Sequence, residues 1–79
     1  PTQTHVRVRL AEPLQSDGRE SYLRAHTYRK NGHLYAKLTG HQGSGNLFSM
    51  VQANALLIIP AGVKSLPAEA EIDAWLLGS

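Results

Sequence analysis

Ser21-Tyr22-Leu23-Arg24-Ala25-His26-Thr27-Tyr28-Arg29, then Lys30-Asn31-Gly32, then His33-Leu34-Tyr35-Ala36-Lys37-Leu38-Thr39, is two alternating runs joined by an Asn-Gly pair. Alternation at period two puts Leu23, Ala25 and Thr27 on one face of a strand and Tyr22, Arg24, His26 and Tyr28 on the other. In the return run Leu34, Ala36 and Leu38 turn inward and Tyr35, Lys37 and Thr39 turn outward. A two-residue type I′ turn needs positive φ at both centres, and Asn-Gly supplies that cheaply. The stretch therefore reads as a β-hairpin, and it sets the class of the whole chain.

Upstream, residues 4–10 (Thr-His-Val-Arg-Val-Arg-Leu) alternate just as cleanly, with Val6, Val8 and Leu10 opposed to His5, Arg7 and Arg9. Glu12-Pro13 ends that strand because proline cannot donate to a ladder. Ser16-Asp17-Gly18-Arg19 reads as a turn. Downstream comes a glycine-rich loop, Gly40-His41-Gln42-Gly43-Ser44-Gly45-Asn46-Leu47. Ser49-Met50-Val51-Gln52 then fits an S-x-x-Q capping box with Phe48 stapled over Ala53, which predicts a short helix over about 49–54. Leu56 to Ile59 is a continuous apolar run and predicts a strand buried on both faces. Pro60-Ala61-Gly62 ends it, and Leu66 pins the following connector to the core. After a turn at Pro67-Ala68-Glu69-Ala70, residues 71–77 form the last strand, with Ile72, Ala74 and Leu76 opposed to Trp75. The sum is a small all-β domain of about five or six strands with one short helical turn.

With 79 residues the chain is one domain, 1–79, and no apolar run approaches a membrane span. A chain of this size buries only about 60–65% of its unfolded surface. It has no cysteine, which removes disulfides, thiolate catalysis and zinc–thiolate sites and suits a cytoplasmic protein. A net charge of +2 spread along the chain does not mark a nucleic-acid binder. The start at Pro1-Thr2-Gln3, without methionine, suggests a fragment of a longer protein or removal of the methionine.

The glycine loop carries the main chemical signal. Successive N–H groups of Gln42, Gly43, Ser44 and Gly45, with the Ser44 hydroxyl and a helix N-terminus behind them, are the donor set that holds tetrahedral oxyanions. The same pattern also suits a plain structural turn. It lacks the Gly-Lys-Ser/Thr of a phosphate loop and the strand–Gly-x-Gly-x-x-Gly–helix order of a dinucleotide site. His5, His26, His33 and His41 show no metal-ligand spacing. The sequence suggests no Ser–His–carboxylate set, so no catalytic residue is assigned. Arg7, Arg9, Arg24 and the tyrosines leave a base-stacking module as the other reading, although no RNP-like pattern accompanies them.

Taken in order, Tyr22-Leu23-Arg24-Ala25, Gly40-x-Gln42-Gly43-Ser44-Gly45, Ser49-Met50, Ala53-Asn54-Ala55-Leu56, Ile59-Pro60 and Leu66…Ala74-Trp75-Leu76-Leu77 resemble the C-terminal domain of the molybdopterin molybdotransferases, the MoeA and gephyrin E-domain family. The resemblance covers essentially the whole chain but only the last domain of the family's polypeptide. It implies a bent β-ribbon or incomplete barrel, a β-clip. It implies a parent enzyme that inserts molybdate into adenylylated molybdopterin with Mg2+ and releases AMP. The cleft would lie at a homodimer interface, with this domain as one wall against the remaining domains. By matching positions, Arg24 and the loop Gln42, Gly43, Ser44 and Gly45 would meet molybdate, while Mg2+ and nucleotide would belong to other domains, leaving no cofactor or metal here. Neither a membrane nor nucleic acid is expected as a partner, and docking of a protein segment, as in gephyrin, is a further reading. Two positions depart from the family pattern: Glu69 stands where glycine is usual in the last turn, and Asn46 where an apolar residue is common.

Overall fold

The computed structural model describes residues 4–39 and 53–77. Seven strands run in order: β1 (Thr4–Leu10), β2 (Leu14–Gln15), β3 (Ser21–Lys30), β4 (His33–Leu38), β5 (Ala55–Ile59), β6 (Ser65–Leu66) and β7 (Glu71–Leu76). Five of them form a closed barrel in the order β1-β4-β3-β5-β7, and β2 pairs with β6 in a separate two-stranded sheet. The all-β, barrel-like expectation holds, and the ring goes further than an incomplete barrel, because β7 returns to β1. Every pairing in the ring is antiparallel except β1 with β4, which are parallel over Arg9↔Tyr35 and Leu10↔Ala36.

Alternation decides what fills the barrel. Val8, Leu10, Ala25, Ala36, Leu57, Ile59, Ile72 and Ala74 are buried inward positions, joined by Leu14 from β2. A barrel this narrow has little room inside, so large residues must face small ones across the strands. The register does this: Leu57 lies beside Ala74, Leu10 beside Ala36, and Leu38 beside Ala25. Each large aliphatic side chain buried there contributes about 1.5–3 kcal/mol relative to leaving it exposed.

The turns follow the sequence closely. Asn31 and Gly32 have φ of 53° and 80°, the two positive values a type I′ hairpin requires. Gly18 has φ of 89°, and the Arg19 amide donates to Asp17 Oδ1 at 2.9 Å in the expected turn. Glu69 has φ of 75°, so the position does favour glycine. Its backbone is held by donation from Glu69 N to Leu10 O at 2.8 Å.

Two expectations are corrected, and a third lies largely outside the described residues. Leu56 and Ile58 are only half-buried, since β5 alternates and no second layer among the described residues covers its outer face. Tyr35 points outward but is buried at 6% exposure, because Glu69, Tyr28 and Lys30 cover it. Residues 49–52 of the expected helix lie outside the described residues, and Ala53 and Asn54 belong to neither helix nor strand. The two-residue strands β2 and β6 carry no periodic signal and escaped the sequence reading. Their pairing, Leu14↔Leu66, explains how Leu66 reaches the core.

Candidate functional site

Arg24 lies on the outer face of β3, exposed, with Leu56 of β5 as its cross-strand neighbour. Among the described residues its guanidinium has no hydrogen-bond or ion-pair partner, which leaves all five donors of a planar fork free. Arg24 also sits where the glycine loop leaves and re-enters the barrel. Thr39 N donates to Arg24 O at 3.1 Å on the way out, and Asn54 N donates to Ala25 O at 2.9 Å on the way back.

Asn54 locks this return. Its Oδ1 accepts from Thr27 N at 2.8 Å and from Thr27 Oγ1 at 3.1 Å, and its carbonyl accepts from Leu77 N at 2.9 Å. One side chain thus extends the β3 ladder beyond the last main-chain pair, Ala25↔Ala55, and satisfies the buried Thr27. Sequence reasoning gave Asn54 no role. Its signal was a single polar residue between Ala53 and the apolar run.

The expected oxyanion-binding residues Gln42, Gly43, Ser44 and Gly45 lie outside the described residues. His26, two residues from Arg24 on the same outer face, has a buried Nδ1 with no hydrogen-bond partner among the described residues. Across from it stands Lys37, whose Nζ lies 3.3 Å from Glu12 Oε2. Next to Arg24 runs an outward band of Tyr22, Leu56, Ile58 and Trp75, contributed by β3, β5 and β7. Tyr22 is 54% exposed, and His5 packs on Trp75 with ring centroids 5.1 Å apart.

Arg7 and Arg9 fall into a different environment. Arg7 Nη1 lies 3.0 Å from Asp73 Oδ1, and Arg9 Nε lies 3.4 Å from Glu71 Oε2, across the β1–β7 pair. Tyr28 and Tyr35 stack on each other at 6.0 Å, and the Tyr35 hydroxyl donates to Glu69 Oε1 at 2.7 Å. That bond to a carboxylate, and then burial, holds the Tyr35 pKa above its ordinary value of 10.0, with Arg9 opposing. These tyrosines therefore do not present the free stacking platform that a base-binding module needs. Among the described residues no three His, Cys, Asp or Glu side chains gather as a metal site would require, and no helix is long and apolar enough to cross a membrane.

Residues 7–77 match the family model of the MoeA C-terminal region (domain IV). The chain is 36% identical over 62 residues to the molybdenum cofactor synthesis protein cinnamon of Drosophila melanogaster, a match that spans 78% of this chain and 10% of that protein. It is 39% identical over 59 residues to the molybdopterin molybdenumtransferase of a Nostoc species, spanning 72% of this chain and 14% of the relative. Among solved structures, the molybdopterin biosynthesis moeA protein of Pyrococcus horikoshii superposes with a TM-score of 0.66 at 27% identity, covering 94% of this chain and 18% of that one. A molybdenum cofactor biosynthesis protein of Pyrococcus furiosus gives 0.66 at 33% identity, covering 94% and 26%. The chain thus spans a quarter or less of the length of most of these relatives, always within a longer polypeptide. With nearly its whole length matched, and with the Asn54 clasp and the left-handed Glu69 turn inside that match, the chain belongs to the MoeA C-terminal region (domain IV) family.

Proposed function

We propose that this domain serves a molybdopterin molybdenumtransferase as one wall of the cleft in which molybdate is inserted into adenylylated molybdopterin. The observation that carries the reading is Arg24: an exposed guanidinium without a partner among the described residues, on a strand whose Arg24 and Ala25 carbonyls each accept from one stem of the glycine loop. Molybdate is a tetrahedral dianion, and a planar donor fork binds such an oxyanion through paired hydrogen bonds. Gln42, Gly43, Ser44 and Gly45 would complete the donor set with main-chain N–H groups and one hydroxyl. Mg2+ and the nucleotide would be held by the other domains of a homodimeric cytoplasmic enzyme. The outward band of Tyr22, Leu56, Ile58 and Trp75 supports a domain that works while packed against others, since such a band is otherwise left in water.

The test is turnover of the full-length enzyme against molybdate concentration. Arg24→Ala should raise the molybdate KM by about ten-fold or more, the value of a lost charge-assisted hydrogen bond. Arg24→Lys, which keeps the charge but not the fork, should fall between. Identical molybdate dependence in all three proteins would end the assignment.

A further inference from the structure

Strand β1 has two edges, and among the described residues only one is fully used. Leu10 N donates to Ala70 O at 2.9 Å and Glu69 N donates to Leu10 O at 2.8 Å, so the main-chain groups of Leu10 face β7. Ala11 N donates to Ala36 O at 3.0 Å, on the β4 side. Strand geometry alternates these directions, so the N–H and C=O groups of His5 and Arg7 face β4. Yet β4 pairs with β1 only at Arg9↔Tyr35 and Leu10↔Ala36. Continuing that register would set Val8 beside Leu34 and Arg7 beside His33. Instead the strands part, and a groove of about 370 Å³ opens between them, lined by Val6, Val8 and Leu34 and by Arg7, Arg29 and His33, among others.

An unpaired strand edge is a template for another strand. Here the template carries a charge code. Arg7 and Arg9 are offset by Asp73 and Glu71, whereas Arg29 and His33 have no ion-pair partner among the described residues, so Arg29 leaves the groove an excess of positive charge. A second copy of the same edge would bring arginine against arginine. An extended acidic segment would instead meet complementary charge, while its alternate side chains could lie on Val6, Val8 and Leu34. We propose that this groove binds an acidic peptide in extended conformation, which adds a strand to the free edge of β1 through the main chain of His5 and Arg7. The proposal is independent of molybdate, because Arg24 and the glycine-loop stems lie on a different part of the ring.

The test is an amide-shift and fluorescence-anisotropy titration of the chain with a hexapeptide alternating glutamate and valine, at low salt. Shifts are expected at His5, Arg7, Val8, His33 and Leu34. Affinity should drop by about ten-fold in Arg29→Glu and again in His33→Glu, while Arg24→Glu stays within about two-fold. Arg29 and His33 are exposed, so both variants should fold, and their amide spectra check this in the same experiment. The same peptide N-methylated at alternate amides should lose binding, and a lysine–valine hexapeptide should not bind. Shifts centred elsewhere, or no binding at millimolar peptide, overturn the proposal. So does equal binding of the N-methylated peptide, or of a short oligothymidylate at the same residues, since either would mean a plain polyanion surface.

Discussion

The two seams of β1 hold the barrel by different means. Along β7 the strand makes six residue pairs, from Thr4↔Leu76 to Arg9↔Glu71, with Arg7, Arg9, Glu71 and Asp73 crossing the seam in ion pairs. Along β4 it makes two. The long seam looks the stronger, but its ion pairs are about half exposed, and such pairs are worth less than about 1 kcal/mol. The short seam has fully buried Leu10 beside Ala36, with Tyr35 sealed over it from outside by Glu69. Burial of one leucine alone contributes about 1.5–3 kcal/mol. Closure therefore rests on packing where the ladder is shortest, and where that packing stops, the groove begins.

The strongest way to break this contrast is Leu10→Ala, which removes the side chain nearest both seams. It should cost about 2–5 kcal/mol in chemical denaturation, and the β1–β4 amides should lose exchange protection before the β1–β7 amides. Uniform loss along both seams would mean that the barrel opens as one unit. Asn54→Ala comes next, at about 1–3 kcal/mol, because Thr27 N and Oγ1 lose their common acceptor in a half-buried site away from either seam. Its exchange effects should fall on β3 and β5 and spare β1.

Tyr35→Phe should weaken the short seam modestly and change its pH response. The Tyr35 pKa is raised in the folded state, so the stabilising bond is fully present below the ordinary value of 10.0 and is lost as pH rises through the higher folded value. The wild-type denaturation midpoint should accordingly fall with rising pH above about 10, and the variant should lack that part of the fall. Parallel pH curves would show that Tyr35 does not titrate with folding. The smallest effect is Arg7→Ala, less than about 1 kcal/mol and reduced further by salt, as double-mutant cycles with Asp73→Ala would measure. A coupling above that range would mean that the long seam depends on its charges after all.

Much of this was legible in the chain because its information was local. Val6, Val8 and Leu10, or Ile72 and Ala74, alternate without interruption, and Asn31-Gly32 can take few other conformations, so strands and hairpin followed from period and sterics alone. The left-handed Glu69 was legible too, once glycine was expected there. Arg24 could be placed on an outer face from alternation. That it lies without a partner among the described residues, beside the points where Thr39 and Asn54 bond to β3, depends on residues far apart in sequence. Leu56 to Ile59 misled because an apolar run reads as buried on both sides, whereas the outer side has no second layer within the described residues.

The sequence by itself determined which residues pair locally and which face of each strand is apolar, since both follow from side-chain period and turn chemistry. Only the tertiary structure decided that β1 lies parallel to β4 for two residues, that β7 closes the ring, that Tyr35 is sealed under Glu69, and that a basic groove opens beside Arg7. Those outcomes are set by how twisted strands fit around a narrow interior of leucines against alanines. That fit is a property of all five strands at once, and no single stretch encodes it.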